Sequence, residues 1–294
     1  MTFARSRNVQ RIAAILEVTL VTALTWLAYK AMKLVEPAGF NHSPGLAMLM
    51  VSGGLLLLHR RRIDAYGLFT RRWRYGVNLG VMFGSLLLLG AAFEMAILPV
   101  ADITPTTIPI HTALRIAAIR LPLYLAILLL VTGPACQRAL ETAPIGFTLP
   151  LLAVLLAAAP AMAIHHGGAV GRVIGVTSAL VLCTGLGEEM FFRGYVQSRL
   201  NGVFGRPWRI LTVSLGPGLL VSSALFALIH VLNPARPFHG SWELSWLWGV
   251  STFLSGLLFG WLRDLTGGSW APAIVHALTG EYRGIWQVFL SNPS

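Results

Sequence analysis

The sequence predicts an all-α membrane protein: a polytopic transmembrane helical bundle of about eight or nine spans with a four-helix core. Of the 294 residues, 55% are hydrophobic and only 11% are charged, and the mean hydropathy is +0.71. A soluble domain carries about 25% charged residues. This composition excludes an ordinary soluble domain and indicates an integral membrane protein that lies in the lipid bilayer.

Apolar stretches recur along the chain at about the length that a membrane-spanning helix needs, roughly 20 residues. The second and fifth stretches are short, so the count is about eight or nine. The first stretch follows three arginines but lacks a convincing small-x-small cleavage site, and we interpret it as a retained span rather than as a signal peptide. The stretches run over about 12–34, 44–59, 76–100, 113–133, 146–164, 170–192, 213–232, 244–262 and 269–290.

The arginines that dominate the net charge of +11 lie mostly between the apolar stretches. The N-terminal tail has three and the loop 59–75 has six, whereas the loop 101–112 has none. Because cytoplasmic loops are enriched in Lys and Arg, the pattern predicts a cytoplasmic N-terminus and places 134–145 and 199–209 on the same side. The charge therefore favours orientation in a membrane, which we expect to be a bacterial inner (plasma) membrane, over nucleic-acid binding.

Polar residues with a possible function are concentrated in the second half of the chain, after about residue 180. Estimates for one charge at a bilayer centre start at about 2.5 kcal/mol, so such groups usually face the interior of a bundle and serve a function. We therefore predict flanking transmembrane helices over 1–145 and the functional core over 146–294, within one bundle.

The first polar group consists of Glu188 and Glu189, followed by Arg193. Residues four apart share one face of a helix, so Glu189 and Arg193 can form an ion pair, while Glu188 is rotated by about 100° from Glu189. This spacing predicts that Arg193 holds Glu189 and that Glu188 is free to act as a general base. The alternative is a structural ion pair near the end of a helix.

Two later apolar stretches each carry a histidine, His230 and His276. Phe226 and His230 share a helix face, and His230 would lie about 18 Å along its helix, near the middle of the membrane, where it could meet Glu188. A histidine on an apolar helix can instead be a hydrogen-bonded packing residue, and this alternative stays open for both histidines.

Gly256 and Gly260 lie on the predicted helix between the two histidines. Their spacing of four residues allows two helices to approach closely. Close contact is what a buried polar cluster requires, so we expect these glycines to support the site by packing.

In order and spacing, these motifs resemble the CAAX-protease and bacteriocin-processing (CPBP, Abi) family of intramembrane endopeptidases. The resemblance covers about 170–280, slightly over a third of the chain. The residues that carry it are Glu188-Glu189-x-x-x-Arg193, Phe226-x-x-x-His230 and His276.

The resemblance implies a glutamate-type mechanism within a catalytic helical core. Glu188, assisted by His230, would activate the hydrolytic water. Arg193 would hold Glu189, and His276 would help to stabilise the oxyanion. A positioned base contributes about 10²–10⁴-fold to a rate, and one oxyanion donor about 10²–10³-fold.

Zinc bound by Glu188, His230 and His276 is the less favoured alternative, and we expect no cofactor. The motif HExxH is absent from the chain, which removes the best sequence argument for a helix-borne zinc protease. The resemblance assigns these three residues to water activation and oxyanion stabilisation instead.

One position departs from the family pattern. The last motif usually has Asn four residues after the histidine, and this chain has Gly280 there. Glycine has no side chain to donate a hydrogen bond, so the oxyanion site either loses a donor or uses Thr279. Both residues are therefore candidate supporting residues, together with Phe226.

We predict an intramembrane endopeptidase that hydrolyses a peptide bond near the membrane surface in a lipidated or membrane-anchored protein or peptide. Prenylated CAAX proteins, bacteriocins and C-terminal sorting-signal anchors remain open as substrates. The alternative is a non-proteolytic membrane protein, either a transporter or an inactive scaffold or immunity protein. Gly280 is the observation that favours it, whereas a transporter would be expected to have two related halves with interrupted helices, which the sequence does not contain.

Overall fold

The computed structural model describes residues 2–36, 42–58, 67, 70, 72–97 and 110–285. Most of the two loops on which the predicted orientation depends, 59–75 and 101–112, lies outside the described residues. So does the end of the last predicted stretch, after residue 285.

The described part of the chain is helical, which confirms the predicted all-α class. One short antiparallel hairpin, Trp208–Ile210 with Val213–Leu215, interrupts the helices. The α-helices are α1 Thr2–Met32, α2 Ser43–Leu58, α3 Trp73–Ile97, α4 Ile110–Thr132, α5 Pro134–Thr142, α6 Ile145–His165, α7 Val170–Ser178, α8 Ser198–Phe204, α9 Pro217–Val231, α10 Trp246–Thr266 and α11 Trp270–Ile285.

Several of these helices are suited to a membrane. By length and composition, three in the described part of the chain could span one: Arg7–Met32, Ile145–His165 and Val170–Phe204. The pair Leu121–Thr132 and Pro134–Thr142, bent by 66°, would be a fourth if it forms a single broken span. The chain is thus an integral membrane protein, and the larger number of spans stays a prediction.

The helices α7 and α8 are the two ends of one continuous helix, Val170–Phe204, hereafter the long helix. Its middle is π-helical over Ala179–Glu188 and Met190–Gln197. In a π-helix each backbone N–H bonds the carbonyl five residues earlier, and such turns are frequent at functional sites. Glu188 ends the first π-helical segment, Arg193 lies in the second, and Glu189 lies between the two.

The boundaries of other elements differ from the sequence prediction for local reasons. The segment 134–145, predicted as a loop, contains α5, because Pro134 lacks an N–H and favours the first turn of a new helix directly after Gly133. The stretch predicted from residue 213 begins as a strand, and its helix starts only at Pro217. Helix α1 begins at Thr2 rather than near residue 12, since neither Gly nor Pro interrupts it.

Glycines let the central helices lie directly against one another. A Cβ atom at Gly256 of α10 would lie 3.1 Å from Cβ of Ser223 in α9, and Gly260 is confined in the same way. A Cβ atom at Gly185 of the long helix would lie 2.6 Å from Cβ of Ala277 in α11. The long helix, α9, α10 and α11 thus form a closely packed centre.

The N-terminal helices pack against this centre. Glu17 of α1 forms an ion pair of 2.7 Å with Arg199 of α8. Gly45 of α2 lies against the backbone of Cys183 in the long helix. Side chains of α3 and α11 share one apolar cluster. Helices α1, α2 and α3 thereby pack against the second half of the chain.

Candidate active site

The long helix contributes three charged side chains to the interior of the bundle. Glu188 is 7% exposed, and Glu189 and Arg193 are fully buried. Arg193 Nη1 donates to Glu189 Oε1 over 3.0 Å. This is the contact that the spacing of four residues predicts, and π-helical winding has not separated the two residues.

The guanidinium of Arg193 is fixed from several sides. Its Nη2 donates to the carbonyl oxygen of Gly256 over 3.1 Å. Its central carbon lies 4.5 Å from the ring centroid of Phe226 and 5.3 Å from that of Phe259. A Cβ atom at position 256 would lie 3.2 Å from Nη2. Gly256 therefore leaves space for the arginine as well as for the neighbouring helix.

His276 of α11 reaches the same carboxylate. Its Nδ1 lies 2.9 Å from Glu189 Oε1, and its side chain is 12% exposed. The imidazole ring stacks on Phe259 with a centroid separation of 4.7 Å. Because a carboxylate oxygen accepts, Nδ1 carries the proton, and Nε2 becomes a donor when the ring is an imidazolium.

His230 of α9 uses one ring nitrogen on its own helix. Its Nδ1 donates to the carbonyl oxygen of Phe226 over 2.8 Å. The ring lies edge-on to Phe226, with a centroid separation of 4.5 Å, and to Trp248, with one of 5.4 Å. In the neutral ring this arrangement leaves the lone pair on Nε2, which can accept a proton.

Glu188 differs from Glu189 in that neither of its carboxylate oxygens makes a hydrogen bond with a described residue, whereas Glu189 uses its Oε1 and leaves only its own Oε2 without a partner. Oε2 of Glu188 is buried and makes no hydrogen bond. The carboxylate lies within electrostatic range of Glu189, Arg193 and His276. No hydrogen bond joins Glu188 to His230, although both belong to the described residues. The structure therefore contains a fixed carboxylate, Glu189, beside one that is available for hydrogen bonding.

The two supporting residues near the end of α11 lie differently from each other. Thr279 donates its hydroxyl to the carbonyl oxygen of Val275 over 2.8 Å, so its proton is used within its own helix. Gly280 borders open space, since a Cβ atom there would have no neighbour within 4 Å. Phe226 touches both histidine rings, lying 5.9 Å from that of His276.

A set of contacts joins α1 to the loop after α9, and the sequence does not predict it. Tyr29 donates its hydroxyl to Asn233 Oδ1 over 2.8 Å. Lys30 Nζ donates to the Asn233 carbonyl oxygen over 2.7 Å. Asn233 follows His230 by three residues, and the only sequence signal is a lysine at the end of an apolar stretch.

A metal ion is held by several donor side chains that converge on one point. Among the described residues, no three His, Cys, Asp or Glu side chains form a group that could hold a metal ion. The predicted donors Glu188, His230 and His276 therefore do not form such a group in the structure.

Comparison with known families finds a match for one segment in the second half of the chain. Residues 170–280 match the family model described as type II CAAX prenyl endopeptidase Rce1-like. This segment is therefore an Rce1-like domain, and the resemblance inferred from the three motifs is confirmed over the same residues. No curated protein and no solved structure matches the chain.

Proposed function

We propose that this chain, whose residues 170–280 form an Rce1-like domain, is a glutamate-type intramembrane endopeptidase. It would hydrolyse a peptide bond near the membrane surface in a lipidated or membrane-anchored protein or peptide. Glu188, Glu189, Arg193, His230 and His276 would form the catalytic machinery, without a metal ion.

The observation that carries the proposal is the contrast between the two neighbouring glutamates. Oε1 of Glu189 accepts from Arg193 and from His276, whereas Glu188 makes no hydrogen bond with any described residue. Oε2 of each glutamate is buried without a partner. Leaving a buried polar atom unsatisfied costs about 1–3 kcal/mol. In Glu189 the ion pair and hydrogen bond at Oε1 offset this penalty, whereas Glu188 has no such compensation among the described residues, and a base requires a free acceptor for its water.

Each step of the proposed hydrolysis uses one of these groups. Glu188 takes a proton from the attacking water, and His230 accepts a hydrogen bond from that water at Nε2. The water oxygen bonds to the scissile carbonyl carbon, and His276, as an imidazolium paired with Glu189, donates to the resulting oxyanion through Nε2. The C–N bond then breaks as Glu188 returns its proton to the leaving amine.

The arrangement of helices supports the larger topology. We infer that the long helix, α9, α10 and α11 form the four-helix catalytic core, because they carry every side chain of the site. The helices before residue 146 would flank it, with about eight or nine spans in total and a cytoplasmic N-terminus. A plasma membrane of a bacterial cell is the expected location.

The proposal is tested by cleavage of synthetic peptides by the full chain in lipid nanodiscs. Three internally quenched probes represent the open substrate classes: a prenylated C-terminal peptide, a bacteriocin-like leader peptide and a peptide with a C-terminal hydrophobic anchor. The wild type should cleave at least one, while Glu188→Gln, which keeps the side-chain size, should lose about 10²–10⁴ in rate.

Glu141→Gln is the matched control. Glu141 lies on the surface in an ion pair with Arg72, and exposed pairs contribute little to stability. This variant should cleave at the wild-type rate. If no probe is cleaved faster by the wild type than by Glu188→Gln, the chain is not a protease of this mechanism and the non-proteolytic alternative is favoured.

A further inference from the structure

Lys30 is a nearly buried cation without an acidic partner. It is 8% exposed, and in the described part of the chain no carboxylate lies within ion-pair distance of it. Buried charges in proteins are usually paired, because desolvating an isolated ammonium is unfavourable. Among the described residues, the one acceptor for its three N–H groups is the carbonyl oxygen of Asn233.

The surroundings of Lys30 stabilise a cation but do not neutralise it. Its Nζ lies 5.0 Å from the ring centroid of Tyr29 and 5.7 Å from that of Trp26. Trp26 stacks on Trp242, with a centroid separation of 6.3 Å, so the loop after α9 covers this end of α1. Aromatic faces attract ammonium groups and leave a positive charge available to an anion.

A second cation lies on the same side. Arg236 is exposed and acts on Lys30 as a like charge, as does Lys33. Lys33 is paired with Glu36 over 3.7 Å, whereas Arg236, like Lys30, has no carboxylate within ion-pair distance among the described residues. The net positive charge at this site therefore comes from Lys30 and Arg236.

The cationic site is connected to the catalytic one. The backbone N–H of Asn233 bonds the carbonyl oxygen of His230 over 3.3 Å, so the acceptor of Lys30 belongs to the turn that ends the His230 helix. Tyr29, which is 1% exposed and hydrogen-bonded to Asn233, lies within electrostatic range of Glu188. Lys30 therefore lies next to a residue that is within electrostatic range of the proposed base.

We propose that Lys30, with Arg236, binds the free C-terminal carboxylate of the substrate. This inference rests on the proposed function and deepens it by naming the residues that would recognise the C-terminus of the substrate. An ammonium–carboxylate hydrogen bond is about twice as strong as a neutral one, and in this buried setting it would replace the missing acidic partner.

The test compares each cleavable probe with its C-terminal amide, which differs only in lacking the charge. For the wild type in nanodiscs, kcat/KM should be at least about tenfold higher for the acid, the factor that corresponds to ~1.4 kcal/mol. Lys30→Met should bring this ratio close to one by slowing cleavage of the acid. Lys33→Met removes a cation that already has a partner and should keep the ratio.

A measurement on the wild type alone guards against misfolding of Lys30→Met. The product peptide that contains the C-terminus should inhibit cleavage as the free acid at concentrations about tenfold lower than as the amide. Equal cleavage of acid and amide, together with equal inhibition by the two product peptides, would overturn the carboxylate site while leaving the endopeptidase intact. Failure to cleave any probe would instead overturn the proposed function.

A lipid phosphate is the competing anion, and a separate arm of the experiment detects it. The wild type and Lys30→Met are compared in nanodiscs of phosphatidylcholine alone and with added phosphatidylglycerol. For a carboxylate site, the ratio of acid to amide should be the same in both lipids. Activity that depends on phosphatidylglycerol only when Lys30 is present, with no preference for the acid, would assign the site to a lipid headgroup and contradict the proposal.

Discussion

Oε1 of Glu189 lies 3.0 Å from Arg193 Nη1 and 2.9 Å from His276 Nδ1, so one carboxylate oxygen joins the long helix to α11. Two cationic or potentially cationic groups thus share a single acceptor. These two hydrogen bonds fix the tautomer and orientation of His276. Because they occupy Oε1 of Glu189, we do not assign Glu189 as the base. The neighbouring Glu188 is the carboxylate that remains for proton transfer.

We expect Glu188→Ala and His230→Ala to abolish cleavage while the protein still accumulates in membranes. Among the described residues, Glu188 makes no hydrogen bond or ion pair, and His230 hydrogen-bonds the carbonyl oxygen of Phe226 in its own helix through Nδ1, so neither substitution breaks an ion pair seen in this part of the chain. Rates are measured on purified protein and abundance by immunoblotting of membranes. The exposed His165 provides the control, His165→Ala, and near-wild-type cleavage by either site variant would refute the assigned roles.

Glu189→Gln and Arg193→Met should behave differently, because each leaves a charge buried without its counterion. Breaking a buried ion pair by removing one partner costs about 3–5 kcal/mol. Each single variant should therefore lose thermal stability as well as activity. The double variant should be less destabilised than the sum of the two, as measured by thermal unfolding in detergent. Additive losses would mean that the two side chains do not interact in the folded protein.

Metal dependence separates the proposed mechanism from its alternative. The active, purified chain should contain much less than one zinc per molecule and should keep its activity in strong chelators. Elemental analysis and a chelation series provide the measurement. One zinc per chain, with activity lost on chelation and restored by zinc, would reassign Glu188, His230 and His276 as ligands.

Local spacing in the sequence predicts the contacts made within one helix. The separation of four residues predicts the Glu189–Arg193 pair, and the same rule places Phe226 beside His230. The spacing of Gly256 and Gly260 predicts close packing of α10 on α9, although the glycine at 256 also supplies a carbonyl to Arg193.

Contacts between distant segments could not be predicted, because they depend on how helices are arranged in space. Nothing local to His276 indicates that it meets Glu189, 87 residues earlier. The link from Lys30 to Asn233 spans 203 residues. The spacing also does not predict the π-helical winding around Glu188, since the angle of about 100° between Glu188 and Glu189 holds for an ideal α-helix.

The surroundings of Gly280, the position where the family usually has Asn, bear on the role of this residue. A Cβ atom at Gly280 meets nothing within 4 Å, which argues against a close backbone contact that would require glycine. Thr279 donates its hydroxyl to the carbonyl oxygen of Val275. It is therefore a poor substitute for an Asn side chain as a donor to the oxyanion. The chain therefore has space for an Asn side chain at position 280. If the family's Asn hydrogen-bonds the oxyanion, this chain lacks that donor.

Gly280→Asn should consequently fold normally and raise turnover by up to about tenfold, the effect of one donor worth ~1.4 kcal/mol in the transition state. Gly280→Ala fills the same space without a donor and should leave turnover unchanged, which makes it the matched control. Thr279→Val, which keeps the shape and removes the hydroxyl, should change turnover by less than about threefold, since only a bond within the helix is lost. Turnover of all three variants is compared with the parent on the same peptide. A large loss in Gly280→Ala as well as in Gly280→Asn would show that the substrate occupies this space, whereas a large loss in Thr279→Val would return the donor role to the threonine.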